Sequence, residues 1–143
     1  ERVHRFPETP SDDGLTLEAM ERAFQGIGES LTSGDYLVVV LIGHGSDEGD
    51  AKFMVAGPDL RAGTLRAWLD GIPAAGQLLV NTTSSSGGFV SVLSAPGRVV
   101  GVATQSGREK NAPEFAEHLI RALEEARGDG DRNGRLSWTE WLV

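Results

Sequence analysis

A chain of 143 residues, 39% hydrophobic and 24% charged, has the size and composition of one globular domain able to bury about two-thirds of its unfolded surface. Its formal charge of -8 argues against a nucleic-acid partner, and with no apolar run near the roughly 20 residues that span a bilayer, no membrane partner is expected. The absence of cysteine excludes disulfides, thiolate metal sites and thiol catalysis, but leaves the compartment open, and a secreted or periplasmic location is compatible with it.

The chain begins at Glu1 without Met and without a signal-peptide pattern, which suggests processing, an excerpt of a longer protein or a separate preceding segment. Glu1 to Phe6 is compatible with a short strand, and Pro7, Pro10 and the turn Ser11-Asp12-Asp13-Gly14 mark a loop. Thr16 is placed to cap a helix whose apolar positions Leu17, Met20, Ala23, Phe24, Ile27 and Leu31 recur at helical spacing. Tyr36 to Ile42, a β-branched run without alternation, predicts a central parallel strand buried on both faces.

Lys52 to Val55 is expected as a hairpin arm, and Asp59 to Leu69 as a helix with Leu60, Leu65, Trp68 and Leu69 on one face, stopped by Gly71-Ile72-Pro73. Gln77 to Asn81 reads as a second strand, Thr82 to Gly88 as a small-residue turn, and Phe89 to Leu93 as a short helix. Arg98 to Ala103 reads as a third buried strand, and Asn111 to Arg127 as a helix with Phe115, Leu119, Ile120 and Leu123 facing inward. Strands alternating with helices imply right-handed crossovers and a mainly parallel sheet covered on both faces, with ligands beyond the carboxyl ends of the strands.

Two polar loops fall at those ends. His44, flanked by Gly43 and Gly45, follows the first buried strand and offers an imidazole able to move a proton near neutral pH; the plainer alternative is a loop hydrogen bond. Forty positions on, Ser84-Ser85-Ser86-Gly87-Gly88 follows the next strand; its amides could turn toward an oxyanion, although serine- and glycine-rich turns are common and a hydroxyl is a poor nucleophile without a base in reach.

The pair LIGHGS and LLVNTTSSSGGF resembles the histidine and cysteine motifs of the caspase and legumain clan of cysteine peptidases, in which one strand ends in His-Gly and the next in a nucleophilic Cys before Ser-Gly-Gly-Phe. It looks closest to bacterial caspase-like or legumain-like proteins, some of which carry serine in place of the cysteine. The resemblance runs from Leu37 to near Arg127 and includes RVVGVATQSGREKN. It implies a three-layer caspase-like α/β fold over residues 1–127, with His44 assisting proton transfer, Ser84 at the nucleophile position, and the Gly45 and Ser84 amides as oxyanion donors. Gly43, Ser85 and the strand end Ala103, Thr104, Gln105 and Ser106 would then line the substrate pocket. The fold's usual first, central strand has no candidate here, so association with a missing N-terminal segment is expected.

Residues 128–143 carry a second motif. Asp129, Asp131, Asn133, Ser137 and Glu140 occupy positions 1, 3, 5, 9 and 12 of an EF-hand calcium loop, with Arg135 at the main-chain position 7, Gly134 at 6 and Leu136 at 8. Calcium binding competes with a solvated acidic turn, and Trp138 and Trp141 are read as core packing. With no thiol and no carboxylate identified to orient His44, a catalytically inactive relative that binds a peptide or protein partner is favoured. The alternatives are a hydrolase or transferase acting on peptide or amide bonds through Ser84 and His44, and a calcium-responsive interaction module.

Overall fold

The computed structural model describes residues 14–109, 114–124, 129–134, 137 and 140, with the side chains of 122–124 excepted. The strand expected near Arg2–Phe6, the starting turn and end of the last predicted helix, and Arg135, Trp138 and Trp141 lie outside these residues.

Helix α1, Leu17–Ser30, starts where Thr16 predicted it: the Thr16 side chain accepts the Ala19 N–H at 3.2 Å. Its entry is tied down by the Ala56 N–H donating to Leu15 O at 2.7 Å. The apolar stripe buries Met20 and Phe24, and Phe24 meets the Trp68 ring at 5.2 Å between centroids.

Three strands form a parallel sheet in the order β1 (Tyr36–Leu41), β5 (Gly76–Asn81), β6 (Arg98–Val102). A small antiparallel sheet joins β2 (Gly45–Asp47), β3 (Ala51–Phe53) and β4 (Leu60–Arg61). The remaining helices are α2 (Ala62–Asp70), α3 (Gly88–Leu93) and α4 (Phe115–Glu124). On one face of the parallel sheet Leu37, Leu41 and Leu79 join Phe24, Leu65, Leu69, Phe89 and Leu93 in the main core. The alternate residues Leu78 and Val80 point the other way and pack against Leu119 and Phe115 of α4. The chain is therefore a mixed α/β protein with a parallel three-stranded sheet flanked by helices.

Several expectations change. Among the described residues β1 stands at the edge of the sheet, pairing with β5 alone, and Val38 and Val40 on one face are 49% and 40% exposed. A continuous β-branched run cannot by itself tell a strand covered twice from one covered once, because Leu37 and Leu41 satisfy either reading. Leu60 belongs to β4 rather than to the following helix, which begins only at Ala62. Of the expected arm Lys52–Val55, Lys52 and Phe53 belong to β3, Ala51–Phe53, the middle strand of a sheet whose strands are too short to show periodicity, while Met54 and Val55 follow it. Val99 is 42% and Ile120 52% exposed, so neither β6 nor α4 is covered as fully as predicted.

The amino-terminal ends of β5 and β6 are fastened by Arg98, whose side chain is 4% exposed and donates to Gln77 Oε1 at 2.7 Å, Leu93 O at 3.0 Å and Asp70 Oδ1 at 2.8 Å. A cavity of about 310 Å³ beside it, lined by Asp70, Gln77 and Pro96 among others, lies at the opposite end of the sheet from His44 and Ser84.

Candidate functional site

The carboxyl ends of β1 and β5 bring the two motif loops together. The Met54 N–H donates to His44 O at 2.9 Å, and Gly45 stands opposite Phe53. Antiparallel ladders alternate, so the N–H and C=O of Gly45 point away from β3. That carbonyl accepts the Ser84 hydroxyl at 3.1 Å. The approach requires glycine: a Cβ at position 45 would lie 2.4 Å from Ser84 O and 2.4 Å from Thr83 Oγ1.

His44 is exposed and Ser84 half-buried, and among the described residues no hydrogen bond joins the imidazole to the hydroxyl. Ile42, 71% exposed, and Met54, 50% exposed, flank the histidine in sequence and through the backbone bond to His44 O.

The turn after β5 is built from buried polar groups, of which Asn81, Thr82 and Thr83 are not site candidates in the sequence. The Asn81 side-chain oxygen accepts the Thr83 N–H at 3.1 Å and the Thr83 hydroxyl at 2.8 Å, while its Nδ2 is buried and has no hydrogen-bond partner among the described residues. The Thr82 N–H and hydroxyl both donate to Leu41 O, at 3.0 and 2.9 Å, stitching the turn to the end of β1. Ser85 is held at φ 54°, a left-handed conformation costly for a residue with a Cβ, and its N–H donates to Glu109 O at 2.8 Å. A polar residue at a strand end is the only sequence signal for Asn81, and it is a weak one.

Of the expected pocket residues, Gly43, Gln105 and Ser106 are exposed and Ala103 is half-buried. Ser85 and Thr104 are 2% and 5% exposed, and their side chains face the protein interior. The Ser86 hydroxyl oxygen accepts the N–H groups of Ala103 and Thr104 at 3.1 and 3.2 Å, and Thr104 Oγ1 accepts the Gly87 N–H at 3.0 Å and donates to Ser106 O at 3.0 Å. Ser85 and Thr104 thus lock the turn to the 103–109 loop instead of lining a pocket with their side chains, because a turn packed this tightly must satisfy its own buried backbone.

The acidic loop near the end of the chain closes on itself. One carboxylate oxygen each of Asp129, Asp131 and Glu140 lie within 4.8 Å of one another, a grouping able to hold a metal ion. Asp129 accepts the Asn133 and Gly134 N–H groups at 3.0 and 2.8 Å, with Gly134 at φ 76° as the sixth position of such a loop requires. The Asn133 amide donates to Asp131 Oδ2 at 2.7 Å. Ser137 and Glu140 are reciprocally bonded: the Ser137 N–H donates to Glu140 Oε2 at 3.0 Å and the Ser137 hydroxyl accepts the Glu140 N–H at 3.3 Å, a capping-box arrangement, with the hydroxyl also donating to Oε2 at 2.6 Å. The Ser137 hydroxyl, then the Ser137 and Asp131 N–H groups, hold the Glu140 carboxyl below its ordinary value. An ionised Glu140 is the form both a helix cap and a metal site need.

No family model, curated protein or solved structure matches the chain.

Proposed function

We propose that the surface around His44, Gly45 and Ser84 is the peptide-binding site of a catalytically silent relative of the caspase-like and legumain-like peptidases. The observation that carries this reading is the Ser84 hydroxyl bonded to the Gly45 carbonyl. A serine hydroxyl attacks only when a base removes its proton, and here the proton is directed to a carbonyl oxygen that cannot keep it. What supports binding is the company of groups: a Gly45 N–H turned away from β3, an exposed imidazole, and the exposed apolar side chains of Ile42 and Met54. Backbone donors beside apolar side chains suit an extended peptide.

The test is cleavage and binding of a peptide library by wild type, Ser84→Ala and Ser84→Cys. Wild type is expected to bind peptides without cutting them. Cleavage by wild type that disappears in Ser84→Ala establishes the hydrolase alternative instead.

A second reading rests on the grouped carboxylates of Asp129, Asp131 and Glu140. These hard oxygens, joined by Asn133 and Ser137 once their side chains turn, fit Ca2+, which would tie the loop to the end of the chain. Millimolar calcium is expected to raise the melting temperature of wild type but not of Glu140→Gln, and an unchanged wild-type melt rejects the site.

A further inference from the structure

Side chains alternate along a strand, so Gly45 and Asp47 share one face of β2, about 7 Å apart. Gly45 on that face meets Thr83 and Ser84; Asp47 meets the continuation of the same turn. A Cβ added at Gly88 would lie 2.1 Å from Asp47 Oδ2, and one added at Gly107 only 1.9 Å from it. The carboxylate is therefore seated between the backbone of Gly88, where α3 begins, and that of Gly107 in the 103–109 loop.

Its Oδ1 accepts the Gly49 N–H at 3.0 Å. Among the described residues, Oδ2 receives no hydrogen bond and no basic side chain pairs with Asp47. Asp50 pairs with Arg61 and Glu109 Oε1 accepts the Ser106 N–H at 3.0 Å, while the adjacent Glu48 is exposed to solvent. Asp47 is half-buried, so its free oxygen has lost part of its hydration without gaining a donor. Guanidinium and ammonium groups offset that loss most strongly, through charge-assisted hydrogen bonds. Gly88 and Gly107 border the oxygen with backbone alone, neither carrying a side chain to cover it.

We propose that Asp47 is the specificity determinant of this site and receives a Lys or Arg side chain of the bound peptide. The proposal rests on the reading of the surface as a peptide site, and the experiment separates the two. N-acetyl-arginine N-methylamide is titrated into the isotopically labelled chain while the amide signals of Gly88 and Gly107 are followed by NMR. These signals are expected to shift and saturate, and the neutral isostere N-acetyl-glutamine N-methylamide is expected to leave them in place. Asp47→Asn, which keeps the acceptor for the Gly49 N–H, should weaken the arginine derivative about tenfold or more, and Asp47→Glu less.

Equal shifts from the two derivatives on wild type overturn the proposal whether or not the variants fold, as does arginine binding unchanged in folded Asp47→Asn, or silence of both glycines. Arginine binding at these glycines without binding of any library peptide upholds the cation subsite and rejects the peptide reading. Peptide binding with no preference for Lys or Arg does the reverse.

Discussion

The Ser84 hydroxyl and the Gly45 carbonyl oxygen, 39 residues apart in sequence, lie 3.1 Å apart in space. This contact joins the small antiparallel sheet to the turn after β5, and it is possible only because position 45 has no side chain. Gly45→Ala forces its Cβ against Ser84 O and Thr83 Oγ1, both 2.4 Å away. Because one neighbour is backbone, the loop must move. Urea denaturation should show a loss of about 1–3 kcal/mol, as for other overpacked sites, together with loss of peptide binding. A variant as stable as wild type would show that the two loops are not in close contact.

Asn81 holds the turn from below. Asn81→Ala leaves the buried Thr83 N–H without its acceptor and takes one of two acceptors from the Thr83 hydroxyl, which keeps Ser84 O at 3.0 Å, and should cost about 1–3 kcal/mol. Thr83→Val removes the hydroxyl's bond to Asn81 as well, so the double variant loses that bond only once and should cost less than the sum of the singles. Strict additivity in a double-mutant cycle argues against the pairing.

One-sided burial of β1 can be read from neighbouring residues. Leu37, 7% exposed, lies in the main core, whereas Val38 is 49% exposed. Leu37→Ala should cost about 2–4 kcal/mol and Val38→Thr less than about 0.5 kcal/mol. Comparable costs would mean that the outer face is covered after all.

Acid sensitivity should register at Asp70. A hydrogen bond from the Arg98 guanidinium, with its charge and that of Arg66, keeps the Asp70 carboxyl below its ordinary value. A carboxyl lowered in the folded state stabilises fully above the unfolded value, about 3.9, and the contribution disappears as pH falls through the lower folded value. Melting temperatures of wild type and Asp70→Asn should therefore differ at pH 7 and converge as the pH falls through the folded-state value. Asp70 is 48% exposed, so the difference is small and shrinks in 1 M salt.

Local chemistry made some of this protein readable in advance. Thr16 ahead of the spacing Leu17, Met20, Phe24 specifies a capped amphipathic helix whatever surrounds it, because the cap bond closes within three residues. The three β-branched or aliphatic runs become parallel strands because alternating helices leave no other economical pairing. The spacing of Asp129, Asp131 and Glu140 suffices to gather their carboxylates, since the loop between them is short.

The His44 and Ser84 loops were expected at the ends of adjacent strands, and they stand there. Yet the bond Ser84 makes depended on which way the Gly45 carbonyl faced, and that is set by the ladder register with Phe53, a pairing between residues with no shared local pattern. The same register turns Asp47 toward Gly88 and Gly107, and a solitary aspartate in a polar loop announces nothing of this. By itself the sequence determined which elements form and where the polar loops fall, because hydrophobic period and capping act over a few residues. Only the tertiary structure decided that β1 pairs with β5 alone among the described residues, that Ser85 and Thr104 face inward, and that Asp47 sits against Gly88 and Gly107. Each of those depends on which distant backbone happens to be the neighbour.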